Sequence, residues 1–364
     1  GDIPVAGRDS AGTQGSTPPP GAVFAHAPAC GGAVVTTTNF AGSTGPITPP
    51  AGYTGTSFSV NVSGVGSYLW DVNLITAITH TYCADLDITL KSPMGTIVTI
   101  TTDNAGGNDN CFNGTTWDAN VNIPCVDYTY ANLVVVPQLT PEGSLAAFRG
   151  ENPNGTWTIT SFDDAGADTG FMNSWSLDIT TLAGAPAETT TTFTNSTSTP
   201  IPDAGNLTST IPVSGVGTYM DKVTLSLSIT HTNCADLDIT LQSPFGTIVQ
   251  VTTDNGGTFD NVFNGTTFTS SSLDPVTDHL FVDLVTATPL SPEGSFDNFL
   301  GQNPNGTWTL SVTDDTAVNT GALVQWSLNV TTTAPPSPAG PVNFAGPTGP
   351  LPDNSTTATP TPTT

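Results

Sequence analysis

Basic residues are almost missing from this chain: four Lys and Arg stand against 30 Asp and Glu in 364 residues, a formal net charge of −26. A surface of that sign repels phosphate backbones and anionic headgroups at long range, so nucleic acid and anionic membrane surfaces are poor partners. Cations are the ligands such a chain attracts, although the same acidity also serves simply to keep a lysine-poor surface soluble. Long apolar runs are missing as well. Leu133-Val134-Val135-Val136 is a short strand-like patch, far below the roughly 20 apolar residues of a membrane-spanning helix. Methionine does not open the chain, which begins at Gly1, and removal of a leader is expected.

What is present is a long repeat, offset by 151 positions and free of insertions over roughly 120 residues. Val62-Ser63-Gly64-Val65-Gly66 returns as Val213-Ser214-Gly215-Val216-Gly217, and Asn152-Pro153-Asn154-Gly155-Thr156-Trp157 returns as Asn303-Pro304-Asn305-Gly306-Thr307-Trp308. A unit of this length is a whole domain with its own core, so two tandem domains are expected. The expected boundaries are an extended arm over 1–38, a first domain over 39–186, a linker over 187–192, a second domain over 193–338 and a Pro/Thr-rich tail over 339–364. Within the tail, Asn343-Phe344-Ala345-Gly346 echoes Asn39-Phe40-Ala41-Gly42 at the start of the first domain. Three opening segments therefore serve two domains.

Apolar residues fall at every second position in Asp85–Leu90, Asp236–Leu241 and Trp175–Ile179, the pattern of strands with one buried face. With Asn-Gly and Pro-x-Gly punctuation and no amphipathic helical period, the fold class is all-β, two tandem β-sandwiches.

Five cysteines occur. Cys83 and Cys234 are repeat equivalents, whereas Cys111 and Cys125 exist only in the first copy, with Val262 and Val276 in their places. Two cysteines gained together in one loop region suggest a disulfide between Cys111 and Cys125 outside the cytosol. Cys30, Cys83 and Cys234 then leave an odd thiol, free or paired between chains; burial of all five as small apolar groups is the alternative. Asn-x-Ser/Thr sequons at Asn61, Asn113, Asn154, Asn195, Asn206, Asn264, Asn305, Asn329 and Asn354 fit a secreted, extracellular or cell-surface glycoprotein.

The run His-Thr-x-x-Ala-Asp-Leu-Asp-Ile-Thr-Leu-x-Ser-Pro-x-Gly-Thr at His80–Thr96 and His231–Thr247, followed by Asn-Pro-Asn-Gly-Thr-Trp-Thr and a closing Trp-Ser-Leu, resembles the P domain (P/Homo B domain) of proprotein convertases and bacterial subtilisin-like proteases. The resemblance covers most of both copies and implies a jelly-roll sandwich, exported, often calcium-binding and appended to a catalytic neighbour. No such neighbour is legible here. A subtilisin-type site needs Asp, His and Ser in separate motifs, yet the histidines are His26 in the arm, the repeat pair His80 and His231, and His279. Gly55-Thr56-Ser57 resembles a nucleophile segment but lies among the opening strands. No enzymatic activity is expected, and His80 and His231 are expected to serve a structural hydrogen bond.

Calcium takes six to eight oxygen ligands, and the resemblance supports it as a cofactor. The candidate ligands are Asp85, Asp87, Asp103, Asp163 and Asp164, with Asp236, Asp238, Asp254, Asp314 and Asp315 in the second copy. Asp is equally a good turn residue that caps loops through its own hydrogen bonds. Two non-catalytic sandwiches with an orphan opening segment point to a structural subunit of an extracellular filament or surface layer, a homo-polymer joined through terminal strands. Ile3-Pro4-Val5-Ala6-Gly7, which echoes Ile211-Pro212-Val213-Ser214-Gly215, adds a possible complement to the tail. The alternatives are a calcium-dependent adhesin that stacks carbohydrate on Trp70, Trp117 and Tyr128 to Tyr130, and a processed remnant of a larger secreted protease.

Overall fold

The computed structural model describes residues 34–47 and 55–338. The first repeat contributes β1 (Val34–Ala41), β2 (Gly45–Ile47), β3 (Thr56–Val62), β4 (Tyr68–His80), β5 (Leu86–Lys91), β6 (Ile97–Thr101), β7 (Asn113–Trp117), β8 (Gln138–Leu139), β9 (Gly155–Asp163) and β10 (Gly170–Leu182). The second contributes β11 (Glu188–Asn195), β12 (Thr199–Ile201), β13 (Gly205–Val213), β14 (Met220–His231), β15 (Leu237–Gln242), β16 (Ile248–Thr252), β17 (Asn264–Thr269), β18 (Gly306–Asp314) and β19 (Gly321–Thr333), and β20 (Ser337–Pro338) follows. Between them lie four single-turn 3-10 helices, and among the described residues no helix is long and apolar enough to cross a membrane.

Each repeat is a two-sheet jelly-roll sandwich. In the first, β3-β9-β5-β6 form one sheet, and β1-β10-β4-β7-β8, with β2 on β10, form the other. In the second, β13-β18-β15-β16 face β11-β19-β14-β17, with β12 on β19. The period-2 pattern explains which face is inside: Leu86, Ile88 and Leu90 on β5 are fully buried, as are Leu237, Ile239 and Leu241 on β15. Aromatic anchors recur with their polar handles satisfied. The indole of Trp157 donates to Pro153 O at 2.9 Å and meets Phe148 edge-on at 5.1 Å; Trp308 repeats this with Pro304 O at 2.9 Å and Phe299 at 5.1 Å.

The opening strands run further toward the N-terminus than their sequence suggests. Residues 34–38, expected as arm, and 188–192, expected as linker, are strand: Thr36 pairs with Thr181, and Glu188 to Asn195 pair with Thr333 to Trp326. Their Thr-rich sequences show no apolar alternation because neither face is fully covered. Backbone pairing rather than burial makes them strands.

Each repeat keeps its own core, and a third small cluster joins them. Trp70 and Leu182 of the first repeat meet Tyr219 of the second, flanked by Val35, Tyr68 and Leu300.

Candidate functional site

The two repeat histidines end the long strands β4 and β14. His80 Nε2 lies within hydrogen-bond distance of Asp163 Oδ2 at 3.2 Å, and its Nδ1 lies 2.7 Å from Tyr82 O; His231 repeats this with Asp314 Oδ2 at 3.1 Å and Asn233 O at 2.7 Å. Both rings and both carboxylates are buried. With both ring nitrogens committed, neither imidazole is placed to act as a general base. These pairs cross-link the end of one sheet to the last strand of the other. Ser57 Oγ shares a hydrogen bond with Thr160 Oγ1 at 3.0 Å on an exposed sheet face, not with a histidine.

The candidate calcium ligands separate into different environments. Asp163 and Asp314 hold the histidines. Asp236 accepts amide hydrogens from Asn233 at 2.7 Å and Asn319 at 2.8 Å, a carboxylate satisfied by neutral donors. In the first repeat those positions are Tyr82 and Asp168, so Asp85 faces carboxylates, and burial followed by the charges of Asp163 and Asp168 raises its pKa. Asp87 is pushed up to about 6 by burial and by Asp103 and Asp164. Asp315 donates its backbone N–H to Asp236 O, as Asp164 does to Asp85 O. Among the described residues, no group of three or more His, Cys, Asp or Glu converges as a preassembled metal site. Asp238 and Asp254 occupy the positions equivalent to Asp87 and Asp103.

The expected Cys111–Cys125 disulfide is not formed: Cys83, Cys111, Cys125 and Cys234 are all buried thiols. Cys111 N–H donates to Cys83 Sγ at 3.2 Å, placing Cys111 beside Cys83, while Cys125 Sγ points to Ile100 O at 3.8 Å. Cys30 lies outside the described residues, as do His26, Asn354 and the tail segment Asn343–Asp353.

The sequons divide by commitment. Asn154 clasps Val65, accepting from its N–H at 3.3 Å and donating to its carbonyl at 3.1 Å, and Asn305 repeats this on Val216. Asn195 donates to Ser209 and Thr210, Asn206 accepts from Ser311 and Thr313, and Asn329 accepts from Thr192. Asn61 and Asn264 are exposed, and Asn113 is half-buried.

The aromatic platform expected for carbohydrate is absent at two of its positions. Trp117 is 0% exposed and donates to Thr76 Oγ1, and Trp70 is 5% exposed beneath Arg149, whose guanidinium lies 5.2 Å from the ring centre. Tyr130 spends its hydroxyl on Cys125 O and packs edge-on against Tyr128.

The joint between repeats gathers a buried guanidinium and several carboxyls. Arg149, 9% exposed, donates to Asp297 Oδ2 at 2.6 Å, to Asp221 O at 3.0 Å and to Trp70 O at 3.1 Å. Carboxyls meet across the joint in two equivalent places. Glu142 shares a hydrogen bond with Asp278, and burial plus that neighbour raises its pKa. At the equivalent place, Gln250 Nε2 bridges Glu293 at 2.6 Å and Asp127 at 2.7 Å, and burial with Asp127 raises Glu293 to about 7. Asn120, Asn122 and Asn298 add amide bonds to Asp297 O, Ile248 O and Val121 O. Sequence reasoning missed this joint. The signal lay where equivalent positions change character: Arg149 against Leu300, Ala146 against Asp297, Trp70 against Asp221.

Comparison with known proteins meets this architecture directly. The family described as the Proprotein convertase P-domain matches twice, at residues 69–179 and 220–330, more than half of the chain. The chain belongs to the proprotein convertase P-domain family. P domains are non-catalytic domains of proteases, in keeping with histidines spent on structure. Among solved structures, a serine protease of Aeromonas sobria aligns at 21% identity and TM-score 0.27 over 41% of this chain and 28% of its own. The complex of that organism's serine protease with the chaperone ORF2 aligns at 17% identity and TM-score 0.29 over 68% of this chain and 36% of its own. The chain thus spans about a third of the length of these structures. No curated protein gives a match.

Proposed function

We propose that this tandem P-domain chain is a non-catalytic building unit of an extracellular filament or surface assembly, joined to further copies by addition of strands to its sheet edges. The observation that carries this reading is β20. Ser337 and Pro338, which follow the second sandwich, add in parallel to Val34 and Val35 of β1, so the edge of the first sandwich accepts a strand beyond its own fold. A strand at an open edge offers a row of backbone donors and acceptors, the general basis of strand addition. Both opening strands already sit in their own sheets, β1 on β10 and β11 on β19. A further strand therefore adds outside them rather than filling a vacancy. In the second repeat, β11 ends its sheet, and the tail segment Asn343–Asp353 has the sequence of just such an opening strand. The buried Arg149 joint supports the reading by fixing the two edges relative to one another.

Electron microscopy and sedimentation of the purified chain, beside variants lacking residues 1–33 or 339–364, test it. Fibres or large assemblies are expected for the whole chain and their loss in at least one truncation. Assemblies that persist unchanged in both variants overturn strand addition by the termini. A second reading, that these repeats accompany a protease catalytic domain on a longer polypeptide, is favoured by the family; the full coding sequence decides it.

A further inference from the structure

The first repeat brings together two thiols that spacing along the chain does not pair. Cys83 opens the turn after β4, and Cys111 stands at the start of the segment leading into β7. Their backbones are held in register by Cys83 N–H to Asn108 O at 2.9 Å, Asn110 N–H to His80 O at 3.0 Å and Ile78 N–H to Phe112 O at 3.2 Å. Asn110 Oδ1 adds a bond from His80 N–H at 3.0 Å. Within this frame, Cys111 N–H donates to Cys83 Sγ at 3.2 Å, which sets the two cysteines side by side.

The second repeat supplies the internal control. It builds the same frame, with Cys234 N–H to Phe259 O at 3.0 Å, Asn261 N–H to His231 O at 2.9 Å and Ile229 N–H to Phe263 O at 3.2 Å. There Cys234 meets Val262 instead of a second cysteine. The frame therefore does not depend on a sulfur pair, and the pair in the first repeat is an addition to it.

We infer that Cys83 and Cys111 form a disulfide when the chain folds in an oxidising medium, while Cys125 and Cys234 remain thiols. In the presence of a small disulfide such as oxidised glutathione, the thiolate of one cysteine attacks a glutathione sulfur and expels one glutathione thiolate. The second cysteine thiolate then attacks the mixed disulfide and expels the other. The protein loses two protons and two electrons, and one oxidised glutathione becomes two reduced ones. The bond staples segment 83–111 behind the His80–Asp163 pair. Timing follows from burial, which raises Cys83 and pushes Cys111 up to about 12. Thiolate is scarce in the finished fold, so oxidation proceeds during folding and is slow afterwards.

The test uses the full chain, denatured and reduced, then refolded with reduced and oxidised glutathione. Remaining thiols are blocked with N-ethylmaleimide in denaturant, and peptic peptides are read by mass spectrometry. A peptide pair linking Cys83 to Cys111, with Cys125 and Cys234 alkylated, is the expected result. Complete alkylation of Cys83 and Cys111, or a link from Cys111 to another cysteine, overturns the inference. Cys111→Val, which installs the side chain the second repeat already carries, keeps the test open if a disulfide escapes digestion. The oxidised chain is expected to melt roughly 5 °C above the reduced chain, and C111V is expected to lose that difference. A difference that survives in C111V overturns the assignment.

Discussion

The repeat histidines show how a single polar residue organises each sandwich. His231 and Asp314 are both fully buried and 3.1 Å apart, so removing the imidazole leaves the carboxylate with only the Thr316 N–H at 3.3 Å in a dry place. His231→Ala is expected to destabilise the second repeat by about 3–5 kcal/mol, measured by urea unfolding. A loss under 1 kcal/mol contradicts the structural role. His80 and His231 were legible as structural because each recurs at the same place in both copies. Their partners were not, since Asp163 and Asp314 lie 83 residues further on and resemble any other turn carboxylate. Calcium belongs to the same scale. We extend the proposal to the first repeat, where the charge of Asp168 helps to raise Asp85 while the equivalent Asp236 is satisfied by two amides. Millimolar calcium is expected to raise the melting temperature by a few degrees, and Asp168→Asn to remove the gain. No rise in the unaltered chain contradicts a calcium site.

At the scale of the element, the central strands depend on a glycine where β4 and β10, and β14 and β19, come closest. A Cβ on Gly321 would lie 2.1 Å from Thr230 O and 2.5 Å from the His231 ring, and one on Gly170 would lie 2.3 Å from the His80 ring. Backbone on one side and a pinned imidazole on the other leave no room to yield. Gly321→Ala is expected to cost about 1–3 kcal/mol, again by urea unfolding; an unchanged midpoint contradicts this packing. Strand identity in β5, β10 and β15 was legible from period-2 alternation, because one face is buried and the other wet. The first halves of β1 and β11 were not, because a strand at a sheet edge with little burial on either face leaves no apolar pattern. The neighbour of Cys111 was hidden for a related reason: proximity along the loop suggested Cys125, whereas the turn after β4 brings Cys83 beside Cys111.

At the scale of the whole molecule, a buried guanidinium of the first repeat is shared with two carboxylates of the second. Arg149→Leu installs the residue of the second repeat but leaves Asp297 without its cation and Asp221 with Lys222 alone. The two sandwiches are then expected to unfold in two calorimetric transitions rather than one; a single unshifted transition contradicts the coupling. The carboxyls of the joint set the pH response. Glu293 rises to about 7 through burial, as does Asp71 on β4, which feels the Arg149 charge, and Glu142 is also raised. Each binds its proton more tightly folded than unfolded. Their contribution is full below the ordinary carboxyl range and is lost as pH climbs through about 7. The melting temperature is therefore expected to be higher at pH 5 than at pH 8, and the reverse order contradicts this reading. The duplication was plain in the sequence, but the joint was hidden, because it is built from the positions at which the copies disagree.

The edge that takes Ser337 and Pro338 is the feature on which assembly rests. A synthetic peptide carrying Asn343–Asp353, titrated into the chain lacking residues 339–364 and followed by amide hydrogen exchange, measures strand addition directly. Saturable binding with new protection confined to β1 or β11 is the predicted result. No binding, together with a monodisperse monomer for the whole chain at every concentration, would contradict it.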